Sequence, residues 1–208
     1  MRLFLVRHGQ TDWNVMNRAQ GSVDRPLDET GVAQSQAVAR AFAAIPVNRV
    51  LTSDLQRARN TAQAIADATD AKLLVEPRMS ERSFGTMEGD SYEDLRVFFN
   101  RESGGDAAMR NRVRPPGGES FFDLWQRLLN VLPVIQDGPE SQVLVSHGGT
   151  CALLCAMILG ETLEDTVKYR FSNAGITEFD GKRIVRFDDV RHLEGLPLLV
   201  KRGDVAAR

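Results

Sequence analysis

Two histidines and two arginines stand at positions where they could handle an anion. His8 directly follows the apolar run Leu3-Phe4-Leu5-Val6, and His147 lies just beyond the apolar run Val143-Leu144-Val145. Arg7 precedes His8, and Arg57 falls in the first turn of a predicted helix that follows the strand candidate Arg49–Thr52. In an open α/β sheet, ligands bind outside the carboxyl ends of the strands. The two imidazoles are therefore expected at one edge, although 139 positions separate them. Such a cationic pocket suits a phosphoryl group, whose oxygens need donors from several directions and find them in arginine forks. Gly9, Gly148 and Gly149 allow close backbone approach, and a helix starting after His147 adds a favourable dipole. From residue type and spacing alone, the reading stops at an anion-binding site.

The elements that must position these residues alternate in type. Asp28–Gly31 reads as a turn into a helix carrying Val38, Phe42 and Ile45, and Ser53 or Asp54 is the expected cap of a helix that buries Leu55, Ala58, Ala62 and Ile65. Lys72–Val75 is a third strand. The segment at about 77–118 is irregular, with one short helix near Tyr92–Phe99. Ser120 and Asp123 form a capping box for a helix with Phe121, Trp125, Leu128, Leu132 and Ile135 on one side. A helix through Ile158 follows His147, and Asp180-Gly181 is a hairpin turn between Ile176–Phe179 and Arg183–Phe187. This order predicts an α/β fold: a three-layer α/β/α sandwich with a mostly parallel sheet and an antiparallel edge. One domain over 1–208 is expected, with 77–118 as a helical elaboration; the polar tail from Asp189, with its apolar island Leu196–Val200, has no assigned place.

Composition narrows the function. The 208 residues are 42% apolar and 26% charged, ordinary for a soluble globular chain, and the formal net charge of -2 argues against general nucleic-acid binding. The apolar run at the N-terminus is too short for a signal peptide, and Cys151–Leu159 is too short to span a membrane, so a cytoplasmic location is expected. Cys151 and Cys155 read as buried packing residues, which fits a reducing compartment. Neither cysteine begins a Cys-x5-Arg loop, and there is no Gly-x4-Gly-Lys-(Ser/Thr) loop. Three histidines without a dense His/Asp cluster fit a two-metal hydrolase poorly. Neither a metal nor a cofactor is expected.

The segment Leu5-Val6-Arg7-His8-Gly9-Gln10-Thr11-Asp12-Trp13-Asn14 resembles the signature of the histidine phosphatase superfamily, which includes cofactor-dependent phosphoglycerate mutase. Further matching segments follow in the family's order: Gln20-Gly21, Ser53 to Ala62, Glu81 to Gly85 with Glu88-Gly89, Pro116 to Ser120, and Ser146-His147-Gly148-Gly149. The resemblance covers about residues 1–160 and implies a phosphoglycerate-mutase-like fold. It implies His8 as nucleophile, Glu81 as proton donor, and Arg7, Arg57 and His147 around the phosphoryl group, with Asn14, Gln20 and Gly21 as substrate-binding neighbours. The implied activity is metal-independent hydrolysis of a small phosphomonoester through a phosphohistidine on His8. The opposite protonation needs of His8 and Glu81 imply a bell-shaped pH profile, falling in alkali as Glu81 loses its proton.

The alternative activity is that of the mutase. Only 66 positions separate Glu81 from His147, whereas the mutases carry a longer basic insertion there that helps exclude water. A scaffold without turnover should lack the nucleophile or the acid, and this chain has both. The expected partner is a small phosphorylated metabolite, with no membrane contact; monomer and homodimer both stay open. Met87 stands where phosphatase members often carry tryptophan. Arg59 reads as a surface charge, Trp13 as packing behind the loop, and His192 has no assigned role. Arg110, Arg112 and Arg114 are either a solvated patch or a lid for a second acidic group, with Glu88, Asp90, Glu93 and Asp94 weakening the lid.

Overall fold

The computed structural model describes residues 1–199. Its six strands are β1 (Arg2–Arg7), β2 (Arg49–Thr52), β3 (Lys72–Val75), β4 (Ser141–Ser146), β5 (Ile176–Asp180) and β6 (Arg183–Asp189). They form one sheet in the order β3-β2-β4-β1-β5-β6. The first four strands are mutually parallel, and the hairpin β5–β6 adds the expected antiparallel edge against β1.

The residues of β1 show why the sheet is covered on both faces. Leu3, Phe4, Leu5 and Val6 are all fully buried. Leu3 and Leu5 pack with Leu51, Leu144 and Leu124, and with Leu154 of helix α8 (Gly148–Leu159). Phe4 and Val6 point the other way, against Val38 and Phe42 of α2 (Glu29–Phe42) and Ala58, Ala62 and Ile65 of α3 (Gln56–Thr69). Alternate residues of one strand thus feed two cores, which is the three-layer α/β/α arrangement. Cys151 and Cys155 are buried and free within the first of these cores.

The site-forming consequence lies between β1 and β4. These strands are neighbours, yet α2, which follows β1 after the short helix α1 (Asp12–Val15), packs on one face and α8, which follows β4, on the other. Chains leaving adjacent strands in opposite directions open a crevice at their carboxyl ends. His8 and His147 both stand there.

Two local expectations are corrected. Neither Ser53 nor Asp54 caps α3; its cap residue is Leu55, which makes no side-chain cap bond. Asp24, from a distant loop, accepts the Gln56 backbone N–H at 2.8 Å instead. Ser53 Oγ faces His147, and Asp54 accepts a hydrogen bond from Ser80. The helix expected through Ile135 is broken into α6 (Phe121–Leu129) and α7 (Leu132–Gln136), because Pro133 lacks an N–H and its ring would meet the preceding turn. The Ser120–Asp123 capping box is present.

The elaboration holds α4 (Tyr92–Glu102), α5 (Ala107–Arg110) and a small core of Ala19, Phe84, Leu95 and Phe99, against which Met87 packs. Of the apolar island near the C-terminus, Leu196 packs on the second core, Leu198 and Leu199 are exposed, and Val200 lies outside the described residues. Among the described residues no helix is long and apolar enough to cross a membrane.

The loop after β1 is clamped on the start of α2. A Cβ at Gly31 would sit 2.0 Å from the Gln10 carbonyl oxygen, and one at Gly9 would sit 2.5 Å from the Gly31 oxygen. Helix propensity alone would make Gly31→Ala stabilising by about 1 kcal/mol. Backbone overlap decides otherwise, since neither partner is a flexible side chain. Gly31→Ala should lower stability by about 1–3 kcal/mol in urea unfolding and depress activity as Gln10 shifts; a gain in stability would contradict this packing.

Candidate active site

His8 is buried and donates from Nδ1 to the carbonyl of Gly9 at 2.6 Å. A carbonyl oxygen can only accept, so the proton belongs to Nδ1 and the lone pair to Nε2. The loop that provides this carbonyl is tied from three sides. The Gly9 N–H donates to Thr61 Oγ1 of α3, the His8 N–H to the Ser146 carbonyl of β4, and the Ala174 N–H to the carbonyls of Arg7 and His8.

His147 stands 5.2 Å from His8, ring centroid to ring centroid. Arg57 Nε donates to its Nδ1 at 3.2 Å, and its Nε2 lies 2.7 Å from Ser53 Oγ. Since a guanidinium only donates, His147 is neutral with its proton on Nε2, directed at Ser53. Both histidines are held well below the ordinary value of 6.5, first by burial and then, for each, by the Arg57 charge. Both therefore remain uncharged at neutral pH.

The arginines are anchored without being used up. Arg57 is almost wholly buried, and donates from Nη1 to the Val23 carbonyl and from Nη2 to the Gly21 carbonyl. With Nε on His147, three of its five N–H bonds are spent, and burial lowers its pKa to about 10. Arg7 donates from Nη1 to the Phe171 carbonyl, while its buried Nε has no partner. Gln20 Oε1 is likewise buried and unpartnered. The open Arg7 donor at this cleft is the usual sign of a missing acceptor, whereas the Gln20 oxygen is an open acceptor that needs a donor.

Glu81 sits at the start of α8. Its carboxylate accepts from the Gly149 N–H at 2.8 Å, from the Arg82 N–H at 3.1 Å and from Thr150 Oγ1 at 3.3 Å. A Cβ at Gly149 would stand 2.7 Å from Glu81 Oε1, so glycine is needed for this approach.

A cleft of about 610 Å³ gathers every site residue that the sequence nominates: His8, Glu81, Arg7, Arg57, His147, Asn14, Gln20 and Gly21. Arg59 is exposed, and Trp13 packs beside Gly89 with the Arg25 guanidinium 5.3 Å from its ring. His192 donates from Nε2 to the Ala174 carbonyl at 2.9 Å, away from the cleft. The alternating basic patch divides: Arg110 lines the cleft, Arg112 lies over the Phe122 ring, and Arg114 pairs with Asp123. Among the described residues, no group of three or more His, Cys, Asp or Glu side chains could hold a metal ion.

Sequence reasoning did not single out Arg82, Tyr92 or Asn173, all of which line the cleft. Arg82 is buried among the rings of Phe121, Phe84 and Phe99, at 3.9, 4.6 and 4.9 Å, with Nη1 unpartnered. Its neighbour Glu81 was the available signal. Asn173 comes from the turn before β5, far from the segments that carry the resemblance, and nothing local marks it.

Comparison with known proteins agrees with this geometry. The "Probable phosphoglycerate mutase GpmB" of Erwinia tasmaniensis is 31% identical over 211 residues, covering 95% of this chain and 97% of that protein. Among solved structures, the phosphoserine phosphatase of Entamoeba histolytica in complex with 3-phosphoglyceric acid matches with a TM-score of 0.77 and 28% identity, covering 92% of this chain and 98% of that one. A mycobacterial glucosyl-3-phosphoglycerate phosphatase with VO3 matches with a TM-score of 0.76 and 28% identity, covering 91% and 99%. The sequence pattern of the histidine phosphatase superfamily (branch 1) matches residues 3–186, and the chain belongs to that superfamily.

Proposed function

We propose that this chain is a phosphatase that hydrolyses a small acidic phosphomonoester, without a metal ion, through a phosphohistidine on His8. The observation that carries the reading is the Nδ1–H bond from His8 to Gly9, which leaves the Nε2 lone pair in a cleft with unspent guanidinium donors. In the first step Nε2 attacks phosphorus in line, the P–O ester bond breaks, and Glu81 gives its proton to the leaving oxygen. In the second, water attacks phosphorus, Glu81 takes the water proton, and the P–N bond breaks with its electron pair returning to Nε2. Arg57 and Arg7 hold the charge on the transferring group, a role that preorganised donors fill without reorganisation, and His147 orients the Arg57 guanidinium by accepting from its Nε. Asn14, Gln20 and Gly21 complete the cradle.

The curated relatives carry the mutase name and the solved neighbours the phosphatase name. Two features favour hydrolysis. The segment between Glu81 and His147 is short, and only one arginine of its basic patch, Arg110, reaches the cleft. A mutase must keep water from its phosphoenzyme, and so little cover serves that poorly. Arg110 suits a second acidic group on the substrate.

A panel of phosphate esters assayed with a chelator tests the reading. Phosphate release should be unchanged by chelator, fall at least about a thousandfold in His8→Ala, and fall about a hundredfold or more in Glu81→Ala. Arg110→Ala should raise KM about tenfold for esters with a second acidic group and leave p-nitrophenyl phosphate unaffected. Bisphosphoglycerate-stimulated mutase turnover exceeding hydrolysis would reverse the assignment.

The acid limb of the pH profile follows from burial. The His8 pKa is lowered, so the reactive neutral ring persists as pH falls below 6.5 and is lost only when it finally binds a proton. An acid limb at or above 6.5 in kcat/KM would contradict this.

A further inference from the structure

We infer that Asn173 is a positioning residue that fixes the polarity of the Asn14 amide, so that Asn14 presents N–H bonds rather than its oxygen to the phosphoryl group. The inference rests on the proposed phosphoryl site and adds a residue that lies outside every matched motif.

Donors and acceptors fix the orientation of both amides. Asn173 is 7% exposed, and its Nδ2 lies 3.0 Å from the His8 carbonyl, 3.3 Å from the Gly9 carbonyl and 3.1 Å from Asn14 Oδ1. The two carbonyls only accept, so they oblige Asn173 to turn its NH2 toward them. One hydrogen is shared between the carbonyls and the other reaches Asn14, which must then offer its oxygen. Thr11 imposes the same choice, since its N–H and its hydroxyl both lie 3.1 Å from that Oδ1. Three donors converge on one oxygen. The NH2 of Asn14 is left with no partner among the described residues, and Asn14 lines the cleft.

The turn bearing Asn173 is itself fixed. Ser172 donates from its N–H and its hydroxyl to the Asp188 carboxylate, at 2.7 and 2.9 Å. Ala174 adopts a φ of 57°, a left-handed conformation that non-glycine residues rarely take, and is held there by its N–H bonds to the carbonyls of Arg7 and His8. The strained turn thus hands one amide to three acceptors in the His8 loop. No mechanism step requires Asn173 to touch substrate.

Aspartate at 173 is nearly isosteric but carries acceptors only. Facing it, Asn14 would rotate its amide to donate backward, and its oxygen would meet the phosphoryl oxygens. Alanine at 173 removes one donor of three and leaves Thr11 to hold the orientation. The order of damage is therefore opposite to that expected from lost volume.

The test measures inhibition by orthovanadate and by inorganic phosphate for the full chain, with thermal unfolding midpoints alongside. Asn173→Ala should weaken binding about tenfold and Asn173→Asp about a hundredfold. In an Asn14→Ala background the gap between the two should shrink to within about threefold, because the amide they act through is gone. Equal effects of the two variants, or a gap that survives in Asn14→Ala, would overturn the positioning role. Should Asn173→Asp fail to fold, the Asn14 side-chain amide resonances decide: phosphate should shift them in wild type and clearly less in Asn173→Ala, and an equal response would overturn the role. If wild type binds neither anion, the phosphoryl-site reading fails, and the role of Asn173 with it.

Discussion

The structure turns on one hydrogen bond, from the Nδ1–H of His8 to the carbonyl of Gly9. It orients the ring and selects the tautomer in a single contact between adjacent residues. A carbonyl so close in sequence is useful only if the loop cannot relax away from it. The rest of the fold supplies that restraint: β4 holds the His8 N–H, Thr61 of α3 holds the Gly9 N–H, the start of α2 presses on Gly9, and the 172–174 turn grips the carbonyls. Elements from both faces of the sheet meet on this loop because β1 and β4 are adjacent strands whose following helices diverge.

Charge distribution points to the same place. On the surface, arginines find carboxylates: Arg25 pairs with Asp12, Arg114 with Asp123, Arg127 with Glu119, and Arg191 with Asp189. Such pairs contribute little each. Arg7, Arg57 and Arg82, which line the cleft, have no ion pair among the described residues, although Arg57 and Arg82 are deeply buried. Burying a guanidinium without an anion is costly, and both have a pKa lowered to about 10 by that burial. The two histidines respond by staying neutral. A dianionic phosphoryl group would satisfy the open donors and offset the field, which is why the same arrangement serves binding and transfer.

Much of this was legible in the sequence, for identifiable reasons. A strand buried on both faces reads as a short apolar run, so Arg49–Thr52 was placed without error, and the half-buried edge strand Lys72–Val75 was legible from its own short run Leu73-Leu74-Val75. The site residues were legible because chemistry at strand ends leaves rare polar residues against apolar runs, and because the matched segments are contiguous. What failed was local reasoning about groups with distant partners. Ser53 and Asp54 look like caps, but the first serves His147 and the second Ser80, while Asp24 caps the helix from across the fold. Asn173 was invisible for the same reason, since its acceptors lie 159 to 165 positions away. Pro133 was the visible signal that the long helix would break.

The most direct test of the central claim is where phosphorus attaches during turnover. Rapid alkaline quenching with a labelled ester, followed by peptide mapping and phosphorus-31 NMR coupled to ring nitrogen-15, reads both the residue and the atom. Phosphorus should appear on Nε2 of His8, because Nδ1 is committed to Gly9. Phosphorus on Nδ1, on His147, or on no histidine at all would contradict the claim.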